Sequence, residues 1–495
     1  MKNINKILKG VTAFLLASMM LAVVSCEDFL EENSISNQTT NTYYSTAQGF
    51  NDLTNSCYTL LRDITKERNL VLLGTDVFTK GNYSSPTGEG DPFNLYDIRL
   101  NSTLDELEDL WVQLYRNINR ANTVISRQEE VVGMDEEVLN ERVGEAKFIR
   151  GLMYFYAVQQ WGDIPMPLTE TESASREVVK TKASDVYAQI IQDLEEATAA
   201  LKERGQTDYG RATKGAAEYL LARVHLTRGW NYTNINGESI GGSAADFDKA
   251  VEYADKVIAK YPLASDFYDL FPKKSENPLE ETFPTQNDDN EEIVFAVQYV
   301  DDQIANASDP TVNGRTGNDY HSIFGGSGGD IPGSLGRTSD YNRHLSHFIH
   351  TPAMYRLFDP DIDKRFELYW VDALYALSPV NDFQVGGTTI DIAKGDTVVY
   401  FPPWNDPLDS ENHRIDVGGT RHYAVINADE IGRTPGTPFR TQNRKIPLFW
   451  KFWQPGIPYD DALGTFDYAL FRSSEAYLIA AEAILKGAGN GNLGN

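Results

Sequence analysis

Lys214-Gly215-Ala216-Ala217-Glu218-Tyr219-Leu220-Leu221-Ala222-Arg223-Val224, with Phe247, Ala250, Val251, Ala254, Ile258 and the close Tyr261-Pro262 further on, is the stretch that decides the fold. Both segments repeat apolar residues at three-four spacing, which lines one face of a helix. The small residues of the first let a neighbouring helix approach closely. An alanine-rich first helix, an aromatic-bearing second helix and a terminal proline form the pattern of a tetratricopeptide unit, here stretched by an insertion from about Asn231 to Ala245. An ordinary antiparallel helix pair is the alternative.

Upstream the same period continues. Leu104, Leu107, Trp111, Leu114, Ile118, Ala121 and Ile125 form one stripe, and Thr103 with Glu106 reads as its capping box. A second helix is expected over Glu136 to Trp161, with an apolar arc wide enough to be buried on two sides. Gly162 and Pro165 stop it, the first by permitting a left-handed cap and the second by lacking a donor. A third helix carries Val186, Ile190, Leu194, Ala197 and Leu201. Trp111 and Trp161 are assigned to the core.

Downstream of Pro262 the texture changes. Glu292 to Val300 alternates like a short strand, and Asp301 to Asp340 is a long glycine-rich stretch of the kind that is functional or disordered. A last helix is expected over Phe471 to Lys486, with Ala476, Ile479, Ala480, Ala483 and Ile484 on its faces. It has the composition of a repeat's first helix, but the chain stops at Asn495. The sequence is therefore expected to be a truncated reading of a longer protein.

The N-terminus determines the compartment. Lys2, Lys6 and Lys9 precede an apolar run from Val11 to Val24, shorter than the roughly 20 residues of a membrane-spanning helix. This is the pattern of a signal peptide, and Val23-Val24-Ser25-Cys26 is that of bacterial lipoprotein cleavage, which makes Cys26 the acylated N-terminus. With Cys26 so used, Cys57 is the other of two cysteines and has no intrachain partner. The chain carries a net charge of −28 over 495 residues. Loss of the leader lysines makes the balance more acidic still, so phosphate backbones are repelled and nucleic acid is excluded as a partner.

Seven stretches in order resemble the SusD/RagB family of outer-membrane nutrient-binding lipoproteins of Bacteroidetes. They are Cys26-Glu27-Asp28-Phe29-Leu30; Glu145 to Arg150 running into Tyr154-Phe155 and Trp161-Gly162-Asp163-Ile164-Pro165; Arg211 to Ala217; Leu221-Ala222-Arg223-Val224; Glu292 to Phe295; Phe358-Asp359 with Asp363-Lys364-Arg365-Phe366; and Arg472 with Glu475 to Leu478 and Ala481-Glu482-Ala483. The resemblance implies a mostly α fold, in which tetratricopeptide-like helix pairs support a loop-rich ligand-binding half with a few short strands. The corresponding division is a leader over 1–25, a helical region over 26–262 and a loop-rich region over 263–495. It further implies an anchored protein of the cell outer membrane, facing outwards, that binds oligosaccharide and caps a SusC-like TonB-dependent transporter as a lid. It implies neither enzymatic activity nor a cofactor. A peptide-binding RagB-like member and a surface glycoside hydrolase are the alternatives.

Sugar rings offer flat C–H arrays and a rim of hydroxyls, so a glycan site needs exposed aromatic faces beside amide, carboxylate and guanidinium groups. Two loop segments supply that mixture. One holds Asp76, Asn82, Tyr83, Phe93 and Asn94; the other holds Arg315, Asn318, Tyr320, Phe324, Tyr341 and Arg343. Trp230 and Trp404 are further candidates. His344, His347 and His350 recur every third residue, but on a helix the first and third would lie far apart around the axis, and the glycine-rich lead-in with Pro352 opposes a helix. Asp359, Asp361 and Asp363 copy the opening of a calcium loop, but Lys364 replaces its glycine, so they read as a turn. No metal site is assigned.

Overall fold

The computed structural model describes residues 40–66, 68–81, 91–171, 173, 178–233, 237–271, 288–300, 317–324, 347–385, 388–408, 423–431, 446–454, 457 and 463–491. Cys26 and the leader lie outside them. Its main helices are α1 (Ala47–Thr59), α2 (Asp105–Arg127), α3 (Glu136–Trp161), α4 (Ala183–Ala200), α5 (Lys214–Gly229), α6 (Ala244–Ile258) and α7 (Ser473–Leu485). From α2 to α6 each packs against the next, and α7 returns from far along the chain to pack on α6 and α5. This is the tetratricopeptide-like stack expected from the stretch at Lys214. Among the described residues no helix is long and apolar enough to cross a membrane.

Most helix ends follow from their residues. Asp135 caps α3 by accepting from Glu137 N at 2.9 Å, and Gly162 ends it at φ +68°, a left-handed conformation that costs glycine little. Thr213 caps α5, its Oγ1 accepting from Ala216 N at 3.2 Å. The capping box expected at Thr103 is corrected: α2 begins after Leu104 with no side-chain cap. The Thr103 hydroxyl and amide both donate to Asn101 Oδ1, at 2.7 and 3.0 Å, so a turn closed by the asparagine takes the group the helix would have used.

The helical interior buries charge as well as hydrocarbon. Arg150 on α3 donates to both carboxylate oxygens of Asp193 on α4, at 2.6 and 2.8 Å, and to Asn122 of α2 at 2.9 Å. Three helices are thus fixed in register by one guanidinium. On α5 and α6, His225 and Arg228 both meet Asp246, whose carboxyl is buried but held down at about 2 by those hydrogen bonds. Cys57 is buried in the same core, where desolvation pushes its thiol up to about 12 and leaves it unreactive.

Strands are short and join distant segments. They are β1 (Phe78–Lys80), β2 (Ile293–Val297), β3 (Phe348–His350), β4 (Trp370–Val371), β5 (Leu448–Phe449) and β6 (Tyr468–Arg472), with small hairpin segments between Ala373 and Tyr400. β2 pairs antiparallel with β6, β1 with β3 and β4 with β5. The β2–β6 pair lies on the helical body, where Phe295 and Phe471 meet Phe148 of α3 edge-on and Phe471 stacks on Tyr219 of α5 at 4.4 Å. A second hydrophobic core lies under β1, β3, β4 and β5, and a third around Phe401, Trp450 and Trp453.

Candidate functional site

The first loop segment is built around β1. Asn94, at the end of a short helix Asp91–Leu95, accepts from Thr79 Oγ1 at 2.9 Å and from Lys80 N at 3.1 Å, so its amide braces the strand. Lys80 reaches back to Asp91 at 2.8 Å. Asp76 precedes β1; its carbonyl accepts from the Thr351 hydroxyl while its carboxylate is exposed and unpaired among the described residues. Phe93 is buried in the second core.

Just past that helix stands a residue outside the candidate set, Tyr96. It is 70% exposed, and its backbone is held at φ +51°, a left-handed conformation that costs a non-glycine residue of order 1 kcal/mol. Its hydroxyl donates to the Gly74 carbonyl at 2.8 Å. A Cβ on Gly74 would come within 2.5 Å of that hydroxyl oxygen, so glycine is what lets the phenol lie against the chain two residues before Asp76. Leu95, Ile98 and Val71 are exposed nearby in sequence. The product is a fixed, open aromatic surface with an exposed carboxylate on the same lip. Its sequence signal was a tyrosine one position beyond the glycine- and proline-punctuated loop; the left-handed backbone that presents it is not encoded in any local motif.

The second segment is placed differently. Asn318 Nδ2 donates to Phe466 O at 2.8 Å and Oδ1 accepts from Tyr320 N at 3.1 Å. Tyr320 is 7% exposed, stacked on Tyr468 at 4.7 Å, with the Arg68 guanidinium 4.6 Å from its ring centroid and its hydroxyl donating to Thr65 O at 3.0 Å. Phe324 lies among Phe78, Phe449 and Phe452, with ring centroids 5.1 to 5.5 Å away. Their faces are occupied by protein, so Phe93, Tyr320 and Phe324 belong to the packed interior and offer no stacking surface. Asn82, Tyr83, Arg315, Tyr341 and Arg343 lie outside the described residues.

Trp404 is partly buried, its indole donating to Phe358 O at 2.7 Å. Trp111 and Trp161 pack edge-on at 5.0 Å between α2 and the end of α3. His350 lies in β3, buried against Trp370, where desolvation pushes its imidazole down to about 3 and keeps it neutral. Asp363 caps the short helix Lys364–Tyr369 by accepting from Arg365 N at 3.0 Å, and Asp359 accepts from Asp361 N at 3.0 Å, which is the turn read from their spacing.

The helical stack with its short paired strands coincides with one known architecture. The signature described as "Starch-binding associating with outer membrane" in a SusD-like family matches residues 28–226. Over those residues the chain resembles the SusD-like family. A SusD-like protein of Bacteroides ovatus is 27% identical over 298 residues, covering 58% of this chain and 49% of the relative. The starch-binding protein SusD of Bacteroides thetaiotaomicron is 32% identical over 179 residues, covering 35% of this chain and 29% of that protein. Among solved structures, surface glycan-binding protein A from Bacteroides thetaiotaomicron in complex with laminarihexaose superposes with a TM-score of 0.60 at 17% identity, covering 90% of this chain and 80% of that one. This likeness carries the fold alone. The SusD-like chain spans about half the length of the curated relatives first matched.

Proposed function

We propose that the protein is a surface glycan-binding lipoprotein that captures oligosaccharides and acts as a lid on a SusC-like TonB-dependent transporter. The observation that carries the binding reading is Tyr96, an exposed tyrosine held in a strained backbone conformation, hydroxyl pinned and face open, on the lip that also bears Asp76. A ring so fixed loses little freedom when a sugar stacks on it. A protein of the same fold has been solved with laminarihexaose, which makes that glucan a first probe. The acidic surface favours a neutral glycan over a sulfated one. Asn82, Tyr83, Arg315, Tyr341 and Arg343 remain the groups proposed to complete the site, with Phe93, Asn94, Asn318, Tyr320 and Phe324 holding its floor. Cys26 supplies the tether, which keeps the lid near its barrel at high effective concentration.

Calorimetry of the full chain with laminarihexaose, maltohexaose and a xyloglucan oligosaccharide tests the reading. Tyr96→Ala should weaken binding of the preferred glycan roughly fivefold or more, as for other aromatic contacts, with the thermal midpoint unchanged. Unchanged affinity removes Tyr96 from the site. Cys26→Ala should abolish palmitate incorporation, and gentle detergent extraction should bring a TonB-dependent transporter down with the wild type. Elution alone at every detergent and salt tried would defeat the lid.

A further inference from the structure

Among its described residues, the lip that carries Tyr96 has three carboxylates, of Asp76, Asp91 and Asp97, for two cations, Lys80 and Arg99. Both cations are already committed. Lys80 Nζ lies 2.8 Å from Asp91 Oδ1, and Arg99 donates from Nη2 to Asp97 Oδ2 at 2.6 Å and from Nε to Oδ1 at 3.0 Å. Arg99 Nη1 is also 3.8 Å from Asp91 Oδ2, which joins the four side chains in one row of alternating charge. Asp76 stands outside that row, exposed and with no partner for its carboxylate among the described residues. Between Lys80 and Asp91 the sequence adds one acid, Glu89, and no base.

Asp76 and Tyr96 are set beside each other by the backbone. The Tyr96 hydroxyl donates to the Gly74 carbonyl at 2.8 Å, two residues before Asp76, and the Thr351 hydroxyl donates to the carbonyl of Asp76 itself. The segment is pinned at both points, so its backbone needs no ordering when a ligand arrives. β1, at the foot of the lip, pairs with β3, whereas α7 packs on α5, α6 and β6.

Both groups attract a cation. The face of a phenol ring does so through its quadrupole, and an unpaired carboxylate does so more strongly. A neutral sugar can stack on the ring and donate hydroxyls to Asp76, but it leaves the carboxylate charge uncompensated. A protonated sugar amine donates hydrogens to the carboxylate and presents its charge to the ring at once. The net charge of −28 adds a field that draws cations in and that salt screens.

We propose that the lip selects oligosaccharides of amino sugars whose nitrogen is free and protonated, the ammonium lying between Asp76 and the face of Tyr96. This names the ligand class of the site proposed above and rests on that reading.

The test compares hexaglucosamine with its fully N-acetylated form, which has the same backbone and no charge, by calorimetry on the full chain in mildly acidic buffer. The amino form should bind the wild type about fivefold or more tighter at low salt, and the difference should shrink as salt is added. Asp76→Asn should bring the two affinities within about twofold of each other, and Tyr96→Ala should weaken both. A polycation is drawn to any acidic protein, so Glu136→Gln is the control. Glu136 is exposed in the first turn of α3, and its substitution removes the same unit of charge from the helical body. It should leave the preference at its wild-type value.

Equal affinities of the wild type for the two hexamers overturn the amino-sugar class. So does a preference that Asp76→Asn and Glu136→Gln reduce alike, since that is attraction to net charge. Tetralysine competing as well as hexaglucosamine assigns the lip to charge without a sugar and overturns it too. In each of these cases, binding of laminarihexaose that Tyr96→Ala weakens leaves the lip reading standing. A wild-type chain that binds no oligosaccharide at all overturns both.

Discussion

In the helical body charged side chains go inside and pair across helices: Arg150 with Asp193, Glu145 with Arg211, Asp246 with Arg228 and His225. In the loop-rich half the interior is made of rings, with Phe324, Phe449 and Phe452 packed together and Tyr320, Tyr369 and Trp370 around them. The difference has a structural cause. Helices satisfy their own backbone, so side chains are free to fix the angle between neighbours. Strands of two to six residues form few ladder bonds, so the segments they join are held by the surface buried between aromatic side chains. A lysine in that half lies among rings: Lys451 Nζ is 5.1 to 5.4 Å from the centroids of Phe271, Tyr369 and Phe452, half-buried and without a carboxylate among the described residues.

The contrast breaks most visibly at Asp193. Asp193→Ala leaves the Arg150 guanidinium buried without its carboxylate, and should cost about 3–5 kcal/mol in denaturant unfolding. A loss under about 1 kcal/mol would mean that water reaches Arg150 and the ion pair does not hold the stack. In the other half, Phe324→Ala should cost about 3 kcal/mol and reduce the near-ultraviolet dichroism of the aromatic core, with helical dichroism retained. Loss of both signals together would show the two halves unfolding as one unit.

Lys451 sharpens the comparison through pH. Burial, with the charges of Arg472 and Arg365, pushes its amine down to about 7 from 10.5. Between those values the unfolded chain binds the proton that the folded chain releases, so this group's contribution to stability rises with pH across that window and is flat below it. Lys451→Met should remove that rise, narrowing the stability difference between pH 7 and pH 9 by on the order of 1 kcal/mol relative to wild type. Parallel pH profiles for the two proteins would show that Lys451 stays charged and solvated on its rings. The smallest effect is expected for Tyr320→Phe, which keeps the ring stack and removes the hydroxyl with its bond to the Thr65 carbonyl and its contacts to Tyr468 and Arg68, for about 1 kcal/mol. A loss as large as that of Phe324→Ala would assign the hydroxyl a wider network.

The helical half was legible to the residue in places. The α3 range Glu136 to Trp161 and the Gly162 stop follow from local chemistry, because apolar period and breaker act within a turn of the positions they govern. Thr103 failed for a local reason as well, since Asn101 competes for its hydroxyl. The site was less legible. Composition marked the loop segments as aromatic and polar; among their described residues Tyr320 and Phe324 are buried, while Tyr96, just past the first segment, is exposed. Whether a ring is platform or floor depends on what covers it. For Tyr320 that is Arg68 and Tyr468, 252 and 148 positions away by residue number.

By itself the sequence determined an acidic composition and a stack of amphipathic helices, since each is written in residues close enough to act on one another along the chain. Only the tertiary structure decided that β6 pairs with β2, that α7 closes on α6, that Gly74 frees Tyr96 to lie open, and that Trp230 bonds to Glu482 of α7. Those outcomes depend on contacts between residues far apart along the chain, where no local period or motif reports the partner.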